Sequence, residues 1–184
     1  MILNISTLSD NWSPFSASES PGCFPVLADL EKKGEVRFTT PVAIDLSARI
    51  TGGQVEVKGT LALTVEQPCG RCLESFSHAL TTEIDLHFVP DSAQEHEPQE
   101  GEEMEVELSE EALIRETFEG DHIDLTPYLQ DEVVMSLPLN PICKDTCKGL
   151  CRECGKNLNQ GACQCEIFTG HPAFAKLRVL KGGK

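Results

Sequence analysis

Eight of the nine cysteines in this 184-residue chain fall into four close pairs. Cys69 and Cys72 are separated by two residues, as are Cys151 and Cys154; Cys143 and Cys147 are separated by three, and Cys163 and Cys165 by one. Thiols at such spacings bridge covalently, exchange electrons or bind metal. Two tetrahedral four-cysteine zinc sites would use all eight. In "CRECGK" the two-residue spacer lets the backbone curl around one ion, and Gly155 permits the left-handed conformation that a knuckle needs. The polar stretch "GKNLNQGA" then reverses the chain to return Cys163 and Cys165. Cys151, Cys154, Cys163 and Cys165 are therefore expected to form one site.

"QPCGRCLE" lies between two strand-like runs, so Cys69 and Cys72 form a knuckle at a hairpin tip. Two ligands do not complete a zinc shell. Cys143 and Cys147 would supply the other two and staple the tail to the sheet domain. The competing partition is crossed, with Cys69 and Cys72 meeting Cys151 and Cys154. Cys23 stands alone and reads as a small hydrophobe or an exposed thiol.

Rival chemistries fit less well. A thioredoxin-type pair needs a helix N-terminus after it to lower a thiol pKa, whereas "CGRC" precedes a strand pattern. A disulfide framework belongs in an oxidising compartment. The stretch "MILNISTLSDNW" has neither the basic flank nor the apolar run of a secretory signal. No apolar run reaches the roughly 18–20 residues that cross a bilayer. The expected setting is therefore a reducing cytoplasm without membrane attachment. An iron–sulfur cluster also takes four cysteines and stays open as an alternative.

No catalytic constellation accompanies the thiols. His78, His87, His96, His122 and His171 form no close pair, and there is neither a phosphate-binding glycine loop nor a Gly-x-Ser-x-Gly motif. A closed four-cysteine shell leaves no open coordination position. The chain reads as a binding module, not an enzyme, with no small-molecule substrate and as a monomer.

The elements that must position the cysteines can be placed by periodicity. Val42, Ile44, Leu46, Ala48 and Ile50 alternate with polar residues, then Thr51-Gly52-Gly53 signals a turn. Val55, Val57, Leu61, Leu63 and Val65 alternate again, which predicts a hairpin. A third run holds Leu80, Thr82, Ile84, Leu86 and Phe88, and "ILNISTL" offers a further strand. In "HIDLTPYLQDEVVMSLPLNPIC", Thr126 suits a cap, Pro127 a first helical position, and Leu129, Val133 and Leu137 form one stripe. The expected fold is α+β: an antiparallel β-sheet domain over 1–90, an acidic mobile loop at 91–111, a strand and helix over 112–142 that complete the domain, and a cysteine-rich basic zinc-knuckle tail over 143–184. A short helix is expected from Pro172 towards Leu180.

Charge is segregated along the chain. The net charge is −15. Residues 143–184 carry Lys144, Lys148, Arg152, Lys156, Lys176, Arg178, Lys181 and Lys184 against Asp145, Glu153 and Glu166, a net of +5 that leaves −20 on residues 1–142. Ten of the twenty-one residues in 91–111 are acidic and none is basic. Such a segment buries too little apolar surface to offset the entropy of ordering.

The blocks "PCGRCLE", "IDLTPYLQDEVVMSLPLNPIC", "CKGLCRECGKNLN" and "CQC" together resemble the YceD-like family, also called domain of unknown function 177. The resemblance covers at least Gln67 to Cys165. It implies a role in accumulation of large-subunit (23S) ribosomal RNA. A body of net −20 repels RNA. Either the basic tail contacts ribosomal RNA, through Lys144, Lys148, Arg152 and Lys156, or the acidic body holds a basic large-subunit ribosomal protein. A zinc-dependent thiol redox or stress sensor is the alternative reading.

Overall fold

The computed structural model describes residues 1–91 and 115–165. In chain order the elements are β1 (Ile2–Asn4), β2 (Ser13–Glu19), α1 (Pro25–Lys33), β3 (Arg37–Phe38), β4 (Val42–Thr51), β5 (Gln54–Pro68), β6 (Ser75–Pro90), β7 (Arg115–Phe118), β8 (His122–Asp124) and α2 (Thr126–Ser136). The backbone divides into two units. Met1–Gln67 with Phe76–Leu139 forms the first, and Pro68–Ser75 with Asn140–Lys184 forms the second.

The first unit is built on the hairpin that alternation predicts. β4 and β5 pair antiparallel from Ala43 opposite Ala62 to Thr51 opposite Gln54, around a Gly52-Gly53 turn. The apolar members of both strands face one way. Val42, Ile44, Leu46 and Ala48 of β4 are buried, as are Val55, Val57, Leu61, Leu63 and Val65 of β5. The six-stranded sheet runs in the order β2-β4-β5-β6-β7, with β3 pairing β5. β1 and β8 form a separate antiparallel pair, Ile2 opposite Asp124.

Two features depart from expectation. The sheet is not wholly antiparallel, because β7 runs parallel to β6, from His87 opposite Arg115 to Pro90 opposite Phe118. A parallel neighbour requires a crossover of a dozen or more residues, and residues 91–114 are long enough to provide one. The acidic 91–111 segment, Asp91 apart, lies outside the described residues, as does the helix expected from Pro172. Second, Thr126 is the first residue of α2 rather than its cap. The carboxylate of Asp124 accepts from the Thr126 hydroxyl at 2.6 Å and from its N–H at 2.9 Å. Those donors, led by the hydroxyl, hold the Asp124 carboxyl below its ordinary pKa.

α2 buries Leu129 and Val133 as its stripe predicts. Tyr128 meets Phe88 of β6 edge-on, with ring centroids 5.1 Å apart, a favoured aromatic geometry. Gln130 accepts from the N–H of Val26 at 3.2 Å, satisfying an otherwise orphaned donor in the first turn of α1.

Candidate metal centres

The second unit joins the β5–β6 connection to the chain that follows α2, and its core is sulfur. Among its described residues the buried side chains are Cys69, Cys72, Cys147 and Cys151. The eight paired cysteines gather into two groups. Cys69, Cys72, Cys143 and Cys147 form one, Cys151, Cys154, Cys163 and Cys165 the other, and within each group every sulfur lies within 4.8 Å of every other. This is the uncrossed partition; Cys69 and Cys72 do not meet Cys151 and Cys154. Cys23 is exposed, in a separate turn, and joins neither group.

The spacing of the sulfurs selects the chemistry. Cys69 and Cys147 stand 3.9 Å apart, Cys72 and Cys143 3.8 Å, and Cys151 and Cys163 3.4 Å. A disulfide requires about 2.05 Å, and all nine cysteines are free. Four sulfurs at about 2.3 Å from one ion lie about 3.8 Å from each other. Both groups fit a single four-coordinate metal ion, so the two clusters can hold one ion each.

Both groups use one backbone device. In the first knuckle the N–H of Leu73 donates to the Cys69 carbonyl at 2.9 Å, and in the second the N–H of Gly155 donates to the Cys151 carbonyl at 2.9 Å. The residue just after the second cysteine is left-handed in both, with φ 61° at Leu73 and 71° at Gly155. Leu73 is the one non-glycine residue at positive φ among those described, and it is 66% exposed. A leucine there costs about 1–2 kcal/mol. The sequence announces the knuckle through Gly155 and conceals it behind Leu73.

The second knuckle is carried by a small hairpin. Leu150 and Asn157 form an antiparallel bridge, the N–H of Cys151 donates to the Lys156 carbonyl at 2.8 Å, and that of Leu158 to the Gly149 carbonyl at 2.9 Å. The two knuckles meet at Arg71, whose carbonyl accepts from the N–H of Leu150 at 3.1 Å. Gly149, at φ 71°, is needed there, because a Cβ would sit 3.0 Å from that same carbonyl oxygen. On the other side, the N–H of Gly70 donates to the Pro141 carbonyl at 2.7 Å.

Four thiols this close compete for protons. Cys69 is pulled down to about 6, chiefly by the backbone N–H of Cys143, which points at its sulfur from 3.4 Å. Cys143 is pushed up to about 12 by burial and by neighbouring thiols. Asn159 donates its side-chain N–H to the Cys147 sulfur at 3.3 Å and lowers that thiol. In the second group, the backbone N–H groups of Cys154 and Glu153 draw Cys151 down to about 7, while Cys154 and then burial drive Cys165 to about 12. In the first group Cys69 and Cys147 favour the thiolate while Cys72 and Cys143 resist it, and in the second Cys151 favours it while Cys165 resists it. A divalent cation at the centre removes the conflict, since it stabilises all four thiolates together.

Residues 57–181 match the family model described as large ribosomal RNA subunit accumulation protein YceD. The chain belongs to the YceD family. The match takes in most of β5, everything after it that is described, and all eight clustered cysteines. The chain is similar to an uncharacterised protein of Mycobacterium leprae, 30% identical over 138 residues, which covers 74% of this chain and 55% of that one. It is also similar to the chloroplastic large ribosomal RNA subunit accumulation protein YCED homolog 1 of Arabidopsis thaliana. That relative is 27% identical over 157 residues, covering 76% of this chain and 49% of the plant protein. The corresponding Zea mays homolog is 24% identical over 145 residues, covering 69% and 49%. The chain thus spans about half the length of the curated relatives it matches. No solved structure matches it.

Within this YceD chain, the four cations singled out from sequence, Lys144, Lys148, Arg152 and Lys156, are all exposed in the second unit. Sequence reasoning missed two residues that complete the first centre. Arg71 donates from one guanidinium nitrogen to the carbonyls of Asp145 at 3.3 Å and Cys147 at 3.2 Å. Asn159, besides its bond to the Cys147 sulfur, accepts from the N–H of Lys148 at 2.9 Å. A polar residue twelve positions after a cysteine carries no motif, so only the hairpin fold reveals it. Arg71 was visible inside "CGRC" as one of the two residues between ligands. No helix among the described residues is long and apolar enough to cross a membrane.

Proposed function

We propose that this YceD-family chain is a non-enzymatic factor that supports accumulation of 23S ribosomal RNA during large-subunit assembly, acting where those subunits are built. In this reading each cysteine cluster holds one structural zinc ion. The ligands are Cys69, Cys72, Cys143 and Cys147 for one, and Cys151, Cys154, Cys163 and Cys165 for the other. The observation that carries the metal part is the sulfur core of the second unit, in a family whose plant members are named for ribosomal RNA accumulation. Zinc is favoured over an iron–sulfur cluster because all the sulfurs of a group lie within 4.8 Å. In a cluster the cysteines bind different irons and stand further apart. A closed shell of four thiolates supports a scaffolding role, since no coordination position remains for a substrate.

The unit as described has no apolar core of its own, so metal binding substitutes for one. Structural zinc supplies apparent free energies of about 10–16 kcal/mol in small domains. The experiment is depletion of the chain in its host, followed by quantification of mature 23S RNA and of large subunits. Both fall, and re-expression of the wild-type chain restores them. Unchanged subunit profiles across several growth conditions would refute the ribosomal role.

A further inference from the structure

The lysines and arginines of the two units are used differently. In the first unit, four of the five whose side chains are described are ion-paired: Lys32 with Asp29, Arg37 with Glu66, Arg49 with Glu56 and Lys58 with Asp85. In the second, the five described cations are Arg71, Lys144, Lys148, Arg152 and Lys156. All are exposed, and among the described residues none has a carboxylate within 4.0 Å. Five charges left unpaired on so few residues are available to an external polyanion.

We propose that this set is a docking surface for the phosphate backbone of double-helical RNA. The inference rests on the ribosomal reading above and names the partner of the same unit. Three observations carry it. First, the cations are borne by the backbone that the metal centres fix. Arg71 is anchored by the carbonyls of Asp145 and Cys147, on the turn that Lys144 and Lys148 bracket. Arg152 lies between the ligands Cys151 and Cys154, and Lys156 donates to the Ala162 carbonyl at 3.1 Å within the second knuckle. Such anchoring lowers the entropy lost on binding.

Second, the described residues of this unit contain no aromatic side chain. Proteins that bind single strands stack bases on aromatic rings. A cationic surface without rings can read phosphates and helix shape, but has no platform for splayed bases. Phe168 and Phe174 lie outside the described residues. Third, only one of the eight clustered thiols, Cys154, is exposed. Cys69, Cys72, Cys147 and Cys151 are buried, so an approaching phosphate meets the cations first. A basic protein would meet those same cations and be repelled.

The test uses the full-length, zinc-loaded chain and three probes in fluorescence anisotropy: an RNA hairpin of arbitrary sequence, a single-stranded RNA of equal length, and a basic large-subunit ribosomal protein. The variant is Lys144→Glu/Lys148→Glu/Arg152→Glu, with metal content by native mass spectrometry as the folding control. The expected result is hairpin binding that weakens with salt. The variant should keep its metal, bind about tenfold or more weakly, and lose about one unit of log–log salt slope per phosphate contact removed. In the depleted host the variant should fail to restore 23S RNA. The proposal is overturned if the metal-loaded variant binds the hairpin like wild type, if single-stranded RNA binds more tightly than the hairpin, if only the ribosomal protein binds, or if the variant restores 23S RNA fully. The ribosomal role itself stands or falls separately, on whether depletion lowers 23S RNA at all.

Discussion

At the scale of single residues, the first centre depends on groups that are not ligands. Asn159 donates to the Cys147 sulfur, and this bond favours the thiolate. Asn159→Ala removes the donor, so the thiol pKa rises and protons displace the ion at a higher pH. Loss of such outer partners typically lowers metal affinity about 10–100-fold. In an acid titration with a colorimetric chelator, the variant should release the first ion at a higher pH than wild type and leave the second unmoved. Coincident release curves would show that Asn159 does not tune the site. The left-handed positions make a paired prediction. Gly155→Ala costs about 1–2 kcal/mol and loosens the second ion. Leu73→Gly relieves a similar strain at the first, partly offset by about 0.5–1 kcal/mol of glycine chain entropy, so that affinity is held or slightly improved. Competition against a chelator of known affinity measures both. A Leu73→Gly variant that lost its ion would mean that the exposed leucine contributes packing that its exposure does not suggest.

At the scale of elements, the hairpin of β4 and β5 was legible because one face is buried. Period-two alternation then follows from the pleat, and Gly52-Gly53 supplies the turn. β2 was not legible. It sits at one end of the sheet order and pairs only with β4, and Phe15 and Ala17, only partly buried, are its sole apolar residues packed against the core, so "SPFSASE" carries an apolar alternation of just two residues. α1 was missed because it is short, with Leu27 as its one buried residue. The parallel pairing of β7 is a tertiary choice with no local signal. It does place a length requirement on the acidic segment, whatever its composition. Deleting residues 91–111 leaves three residues between Pro90 at the end of β6 and Arg115 at the start of β7, too few for a parallel return. The deletion should unpair β7 and lower the melting temperature, whereas a neutral Gly/Ser segment of the original length should preserve it. Equal melting temperatures for deletion and replacement would show that β7 contributes nothing to stability.

At the scale of the whole molecule, the sequence shows an acidic chain with a cysteine-rich basic end, and the structure relates that end to the middle of the chain through the β5–β6 connection. The partition of the cysteines was readable for Cys151, Cys154, Cys163 and Cys165, where two-residue spacing, Gly155 and a polar reversal are local. For Cys69 and Cys72 the partners lie more than seventy positions away, and elimination rather than geometry pointed to Cys143 and Cys147. Arg71 escaped notice because its role depends on carbonyls brought in by that distant segment. The central claim is that two separate ions hold the second unit together, one per cluster. Native mass spectrometry of the full chain, purified under reducing conditions without chelator, tests it directly. Wild type should carry two zinc ions, Cys69→Ser and Cys151→Ser one each, and the double variant none. A wild-type chain without metal, or single variants that both lose the same ion from a chain that holds only one, would contradict the account.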